Sequence, residues 1–312
     1  MNKHPFLKDE PEKPSWLKIR PSYNLDFSKI KNALRKRGLV TVCEEAHCPN
    51  MSECWHNEGT ATFMVLGDTC TRGCRFCAVD TAMKGQLVDK DEPKKLAEAI
   101  AEMGLDYAVI TSVDRDDLDD QGSNHFAECI KEIKKQRPET LVEVLIPDFR
   151  GDFDCLQKII DAKPDVIAHN VETVDRLQKK VRDFRANYRQ SLNVLEQVKR
   201  KDPNIFTKSA IMVGLGEREE EVKECMNHLR EINCDILTIG QYMRPKTSIL
   251  AVKEYVTPEQ FRRYEIQGLS KGFLYVASGP FVRSSYRAGE LFIKEIIERR
   301  NSDNFSKTEI KT

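Results

Sequence analysis

The sequence of 312 residues has no apolar run long enough to cross a membrane; the longest, such as Ala61-Thr-Phe-Met-Val-Leu66, fall far short of the roughly 20 residues a spanning helix needs. It has no excess of either charge. Lys+Arg and Asp+Glu each number 50, so the whole-chain basic footprint of a dedicated nucleic-acid binder is absent, although a local patch remains compatible with neutrality. Residues 1–15 lack an apolar signal core and carry acids and prolines, which argues against a transit peptide. The dinucleotide fingerprint is also missing, because Gly214-Leu-Gly216-Glu-Arg-Glu219 has Glu where the third glycine belongs. There are no low-complexity tracts and no repeats beyond a strand–helix alternation. These absences predict a soluble protein of a reducing cytoplasm, with no nucleic-acid or membrane partner.

What the chain does have is cysteine, in a pattern. Six of its ten cysteines form two triplets, Cys43-x4-Cys48-x5-Cys54 and Cys70-x3-Cys74-x2-Cys77. A large chain without a secretory leader uses cysteine for metal or catalysis more readily than for a disulfide framework. A cubane iron–sulfur cluster is normally held by four thiolates. The second triplet supplies three from one short loop, which leaves one iron open to bind a small molecule. A zinc site is the rival. It wants a fourth Cys or His and paired C-x2-C spacings; no second C-x2-C occurs, but His47 and His56 among the first triplet keep a mixed site compatible with composition.

A basic amphipathic helix is expected over 26–37, with Phe27, Ile30 and Leu34 at helical spacing and Gly38 as its stop. From Thr60 the pattern alternates. Strands are expected near 62–67, 107–112, 141–146, 165–169, 206–213 and 235–240, and helices near 93–103, 123–136, 152–162, 187–200 and 217–232. Strands alternating with helices of this length argue for parallel βαβ units. With a cysteine loop after the first strand, at the edge where such folds place their sites, the fold class is α/β, a partial (β/α)6 barrel with N- and C-terminal extensions. The divisions fall at 1–59, 60–256 and 257–312. In the last, Thr257-Pro258 opens a helix to about 271, a strand follows at 273–277, and a final helix runs to about 300.

The spacing of Cys70, Cys74 and Cys77, with Phe76 before the last cysteine, resembles that of the radical S-adenosylmethionine enzymes. Thr41-Val-Cys43-Glu-Glu-Ala-His-Cys48-Pro-Asn-Met-Ser-Glu-Cys54-Trp further resembles the motif of the lipoyl synthase family. The resemblance runs on from Trp16-Leu-Lys through Ser209-Ala-Ile-Met-Val-Gly-Leu-Gly-Glu217 and Leu237-Thr-Ile-Gly-Gln-Tyr242 to Arg283-Ser-Ser-Tyr286. It implies two [4Fe–4S] clusters, one on the Cys70 loop binding S-adenosylmethionine through its open iron, the other held by Cys43, Cys48, Cys54 and Ser284. It implies insertion of two sulfur atoms at C6 and C8 of an octanoyl-lysine, with the second cluster as donor. The implied partners are octanoylated carrier domains, such as 2-oxoacid dehydrogenase E2 subunits and the glycine cleavage H protein, and an electron donor such as flavodoxin or ferredoxin. Other radical sulfur-inserting enzymes do not combine both terminal motifs.

Several side chains carry a plainer reading as well. Ser284 suits a helix cap at 286 as it suits a cluster ligand. Candidates for S-adenosylmethionine at the strand ends are Ser112, Asp114, Asn170, Glu172 and Gly214, the glycine allowing close approach of adenine or ribose. The run Asp114-Arg-Asp-Asp-Leu-Asp-Asp120 reads equally as a solvated loop, and Glu172 as the first turn of a helix. Cys129, Cys155, Cys225 and Cys234 read as small buried hydrophobes, and His125, His169 and His228 as hydrogen-bonding groups. Arg72 and Arg75 are expected to favour thiolate at the neighbouring cysteines.

Overall fold

In the computed structural model, which describes residues 10–17, 37–41 and 60–284, strands that are apolar along nearly their whole length form the centre. β2 (Thr60–Val65), β5 (Tyr107–Ser112), β6 (Leu141–Leu145), β7 (Val166–Ala168), β8 (Phe206–Val213) and β9 (Ile236–Gln241) pair side by side in chain order, all parallel. Parallel strands covered on both faces read as continuous apolar runs, as these do. Each lies within two residues of its expected place. A seventh parallel strand, β10 (Tyr275–Gly279), pairs with β9 in register Val276 to Leu237 and Gly279 to Gly240. It is the strand expected at 273–277, and it extends the sheet. A short antiparallel strand, β1 (Val40–Thr41), borders β2 at the other end, so among the described residues the sheet stays open.

Helices cover the outside. They are α1 (Glu92–Met103), α2 (Ser123–Gln136), α3 (Phe153–Asp161), α4 (Gln178–Val181), α5 (Tyr188–Lys201), α6 (Glu219–Glu231) and α7 (Pro258–Ser270). Their starts follow from local chemistry. The Asn187 side chain accepts from Gln190 N at 2.8 Å and so caps α5, and Thr257 caps α7 with Pro258 in its first turn. The helix expected over 26–37, the first cysteine triplet and the helix beyond 285 lie outside the described residues.

Side chains alternate across each strand, so one set packs against the helices and the other fills the barrel. The inner set is unusually polar low in the barrel. Lys208 on β8 bonds both oxygens of Glu143 on β6 at 2.7 and 2.9 Å, and the Tyr107 hydroxyl donates to the same carboxylate at 2.6 Å. Both charged side chains are 1% exposed. Removing one member of a buried pair strands the other and costs about 3–5 kcal/mol, whereas removing both together often costs little. Lys208→Met is therefore expected to lower unfolding free energy by about that amount, and Lys208→Met combined with Glu143→Leu to recover most of it in chemical denaturation. Two single losses that simply add in the double variant would contradict this coupling.

Candidate functional site

The chain leaves β2 through two left-handed residues, Leu66 (φ 68°) and Gly67 (φ 86°). A leucine there costs roughly 1–2 kcal/mol. The cost is offset because Leu66 N donates to Glu92 at 2.9 Å and Leu66 O accepts from Arg115 at 3.0 Å. This bend directs Thr69–Cys70 (β3) across the carboxyl ends of the sheet, and the loop closes by pairing with Asp80–Thr81 (β4).

Cys70, Cys74 and Cys77 lie half-buried on that loop as free thiols. The backbone N–H of Arg72 donates to Cys70 Sγ at 3.4 Å, and that of Asp183 to Cys74 Sγ at 3.3 Å. Burial first, and then the Asp114 carboxylate 3.7 Å away, pushes the Cys70 thiol up to about 12. Burial likewise pushes Cys74 up to about 12 and raises Cys77. The expectation that Arg72 would favour thiolate is therefore corrected: its guanidinium faces carboxylates. Proton loss from these thiols has to be driven by metal binding.

Those carboxylates come from two different loops. Arg72, buried, donates through Nε and Nη2 to both oxygens of Asp116 at 2.8 Å each, and its Nη2 lies 2.8 Å from Asp148. Its Nη1 is 3.3 Å from Asp114. The two shifts at this cluster run in opposite directions for a geometric reason. Burial raises Asp114 to about 6, with Arg72 pulling the other way. Burial also opposes ionisation of Asp148, but the shorter Arg72 bond and the Arg150 N–H outweigh it and hold Asp148 at about 2. The Asp114–Asp120 run is therefore no solvated loop; its Asp116 and Asp117 side chains are 8% exposed and Arg115 is 2% exposed.

A second grip comes from the segment before α5. Asp183 accepts from Gly73 N at 2.8 Å, Arg185 donates to Thr71 O at 2.7 Å, and Arg75 N donates to Val181 O at 2.8 Å. Asp116, Asp148, Asp183 and Arg185 were not anticipated from sequence. Only the Asp-rich run after β5 and the arginines in the cysteine loop hinted at such pairing.

The other candidates gather at the same carboxyl edge. Ser112 Oγ and Asn170 Oδ1 are buried polar atoms without a protein partner, while Asn170 Nδ2 donates to Glu172 at 3.1 Å. Glu172 is left-handed (φ 65°) and not in a helix; its backbone continues the β7–β8 ladder through Ala210 O and Met212 N. Burial raises its carboxyl. Gly214 is also left-handed (φ 97°), but a Cβ there would sit 2.1 Å from Gln241 Nε2 and 2.5 Å from Glu254 O. The chain's own packing thus accounts for this glycine. Gly240 on β9 is the more constrained in its contact with the segment that follows β10: a Cβ would lie 2.2 Å from Val282 O. The missing side chain lets the Val282 carbonyl pack against the end of β9; Ser284, two residues further on, is half-buried.

Among the described residues no three His, Cys, Asp or Glu side chains converge on a single metal ion. A cubane asks for something different, thiols spread around one loop and bound to separate irons. Cys70, Cys74 and Cys77 fit that demand, and the unpartnered Ser112 and Asn170 atoms fit a polar ligand beside it. An open parallel barrel carrying such a loop after its first parallel strand is the arrangement of a radical S-adenosylmethionine enzyme, and residues 64–229 match the Radical SAM superfamily. Residues 4–48 match the N-terminal domain of lipoyl synthase. The mitochondrial lipoyl synthase of Culex quinquefasciatus is 56% identical over 92% of this chain and 77% of its own length. The lipoyl synthase of Halobacterium salinarum is 56% identical over 93% and 94%. In fold, the FeFe-hydrogenase maturase HydG from Carboxydothermus hydrogenoformans aligns with TM-score 0.56 at 13% identity, over 86% of this chain and 78% of that one. The chain belongs to the lipoyl synthase family. Membership brings S-adenosylmethionine and iron–sulfur clusters as cofactors.

The four cysteines outside the triplets are buried, as expected of small hydrophobes. His169 is buried beneath the site. Its Nδ1 donates to Ile146 O at 2.8 Å, so Nε2 accepts from the Ser191 hydroxyl at 2.9 Å, whose oxygen accepts from Arg182 at 2.8 Å. Burial, with Arg182 adding to it, pushes His169 down to about 4 from an ordinary 6.5. The unfolded chain then holds a proton that the folded one lacks between those values, so stability rises with pH through the window and is lost on acidification. The loss should reach roughly 3 kcal/mol by the lower end. His169→Gln is expected to flatten the dependence of melting temperature on pH between 6.5 and about 4; an equally steep dependence would assign it elsewhere.

Proposed function

We propose that this chain inserts two sulfur atoms at C6 and C8 of an octanoyl group carried on a protein lysine, producing the lipoyl cofactor. The carrying observation is the Cys70–Cys77 loop, clamped at the barrel mouth beside the unpartnered polar atoms of Ser112 and Asn170. Cys70, Cys74 and Cys77 would hold one [4Fe–4S] cluster. Cys43, Cys48, Cys54 and Ser284 would hold the second. When bound, the first cluster supplies the electron that cleaves S-adenosylmethionine and the second supplies the sulfur.

The chain's own part is positioning. The N–H groups of Arg72 and Asp183 aimed at Cys70 and Cys74 stabilise charge on sulfur, a recognised means of tuning cluster potential. Asn170 Oδ1, Glu172 and Asp114 offer acceptors for ribose hydroxyls and an ammonium group, and Ser112 offers a hydroxyl. Gly214 contributes by packing more than by ligand approach. Residues 1–59 would carry the second cluster's cysteines, 60–256 the radical chemistry, and 257–312 both Ser284 and the last strand of the sheet.

E2 subunits of 2-oxoacid dehydrogenases and the glycine cleavage H protein are the proposed carriers, with flavodoxin or ferredoxin as electron donor. No described helix is long and apolar enough to cross a membrane, and a reducing aqueous compartment such as the cytoplasm suits exposed cluster chemistry. The direct test is anaerobic incubation with S-adenosylmethionine, dithionite and an octanoyl-lysine peptide, read by mass. Appearance of the lipoyl peptide is expected, and 5′-deoxyadenosine without it would overturn the reading. Ser284→Ala should still cleave S-adenosylmethionine yet form little lipoyl product in a single turnover. A mere cap would instead cost about 0.5–2 kcal/mol of stability and leave sulfur insertion near normal.

A further inference from the structure

The segment that grips the cysteine loop has an outer face as well. Between residues 175 and 190 the sequence places six cations against two carboxylates, Asp175 and Asp183; Arg182 is buried against Ser191, while Arg176, Lys179, Lys180 and Arg189 are exposed and Arg185 half-exposed. Asp183 is buried and already bonded to Arg185 at 2.8 Å. In a chain with no net charge this is a concentrated positive strap. Phe184 stands at its centre, 87% exposed, with the Arg185 guanidinium 5.1 Å from its ring centroid. It opens onto a groove of about 820 Å³ that Lys179 and Arg189 also line. Glu221 and Glu224 on α6 line its far wall and Asp175 its near one, with Glu221 tied to Arg176 at 2.6 Å, so the free positive charge lies with Lys179, Lys180 and Arg189 around Phe184 rather than in the groove's floor. Exposed Arg75, bonded through its N–H to Val181 O, continues the charge onto the cysteine loop.

Phe184 is one peptide away from the cluster loop. The Asp183 N–H reaches Cys74 Sγ at 3.3 Å, so an object seated on Phe184 connects to that sulfur through a single residue and a hydrogen bond. An exposed aromatic with exposed cations on the same segment is how a surface attracts and then seats an acidic protein. We propose that this strap is the docking surface for the electron donor, a small acidic protein carrying a one-electron cofactor. An octanoylated carrier has a different requirement, since it must feed its arm into the barrel mouth; a donor needs only a short bonded path from outside. In the transfer one electron leaves the donor's cofactor and arrives at the cluster on the Cys70 loop. The donor is oxidised by one electron, and no group or proton need move. The proposal rests on the cluster assignment given above.

The test uses the cluster-loaded full chain and reduced or oxidised flavodoxin as the probe. Lys179→Glu with Lys180→Glu, and separately Phe184→Ala, should each weaken flavodoxin binding in calorimetry at low salt, the charge reversal roughly tenfold or more. Added salt should weaken the unaltered protein's binding more than that of the charge-reversed variant. With dithionite in place of flavodoxin, both variants should form lipoyl peptide at the unaltered rate. Unchanged flavodoxin affinity in both variants would overturn the proposal. So would weakened binding of an octanoylated carrier with flavodoxin binding intact, which would give the strap to the substrate. Failure of the unaltered protein to form lipoyl peptide with dithionite would instead sink the functional reading, and the flavodoxin affinities would remain a separate measurement.

Discussion

The site depends on one guanidinium. Arg72 sits inside the cysteine loop and holds carboxylates from the loops after β5 and β6 at once, Asp116 and Asp148 at 2.8 Å and Asp114 at 3.3 Å. Arginine suits this because its planar fork presents several donors in fixed directions, and burial strengthens each bond while making an unpaired member costly. Three acids around one cation would leave excess negative charge. Arg185 relieves part of it by reaching Asp116 at 3.2 Å as well as Asp183. The loop is thereby tied to strands that are themselves fixed by a parallel sheet.

The consequence for chemistry is that three thiols are held in place before any metal arrives, at the price of a protonated resting state. Cys70 and Cys74 receive a backbone N–H each, while burial keeps their protons on until iron displaces them. At the other end of the parallel sheet, Gly240 on β9 pairs with Gly279 on β10. With no side chain, it admits the Val282 carbonyl of the segment that follows β10. Loop and terminal segment meet the same carboxyl edge of the sheet, where parallel α/β folds build their sites.

Much of the fold was legible because its strands are short, buried and bounded by amphipathic helices, a local pattern. The β5 and β8 ranges were read residue for residue, since their apolar runs end at polar loops. The joining of β10 to the sheet was not legible; pairing partners are not encoded locally. At the site, the cysteine spacing is a local signal and was read directly. The clamp is not, because Arg72 and Asp116 stand 44 residues apart and Gly73 and Asp183 stand 110 apart. For the same reason the acidic run after β5 looked like a solvated loop. Gly214 looked like a ligand site because a glycine that clears the chain's own backbone has the same sequence appearance as one that clears a cofactor.

The central claim is that Arg72 positions the cluster loop, and Arg72→Lys tests it with charge retained. An ammonium is a point charge and cannot bond two loops with the same fork. Iron and acid-labile sulfide counted in protein prepared without air, together with far-UV circular dichroism, give the answer. The account predicts a folded barrel that has lost about half of its iron, the share of one of two four-iron clusters, with S-adenosylmethionine cleavage lost alongside. Full iron content with normal cleavage in Arg72→Lys would contradict it.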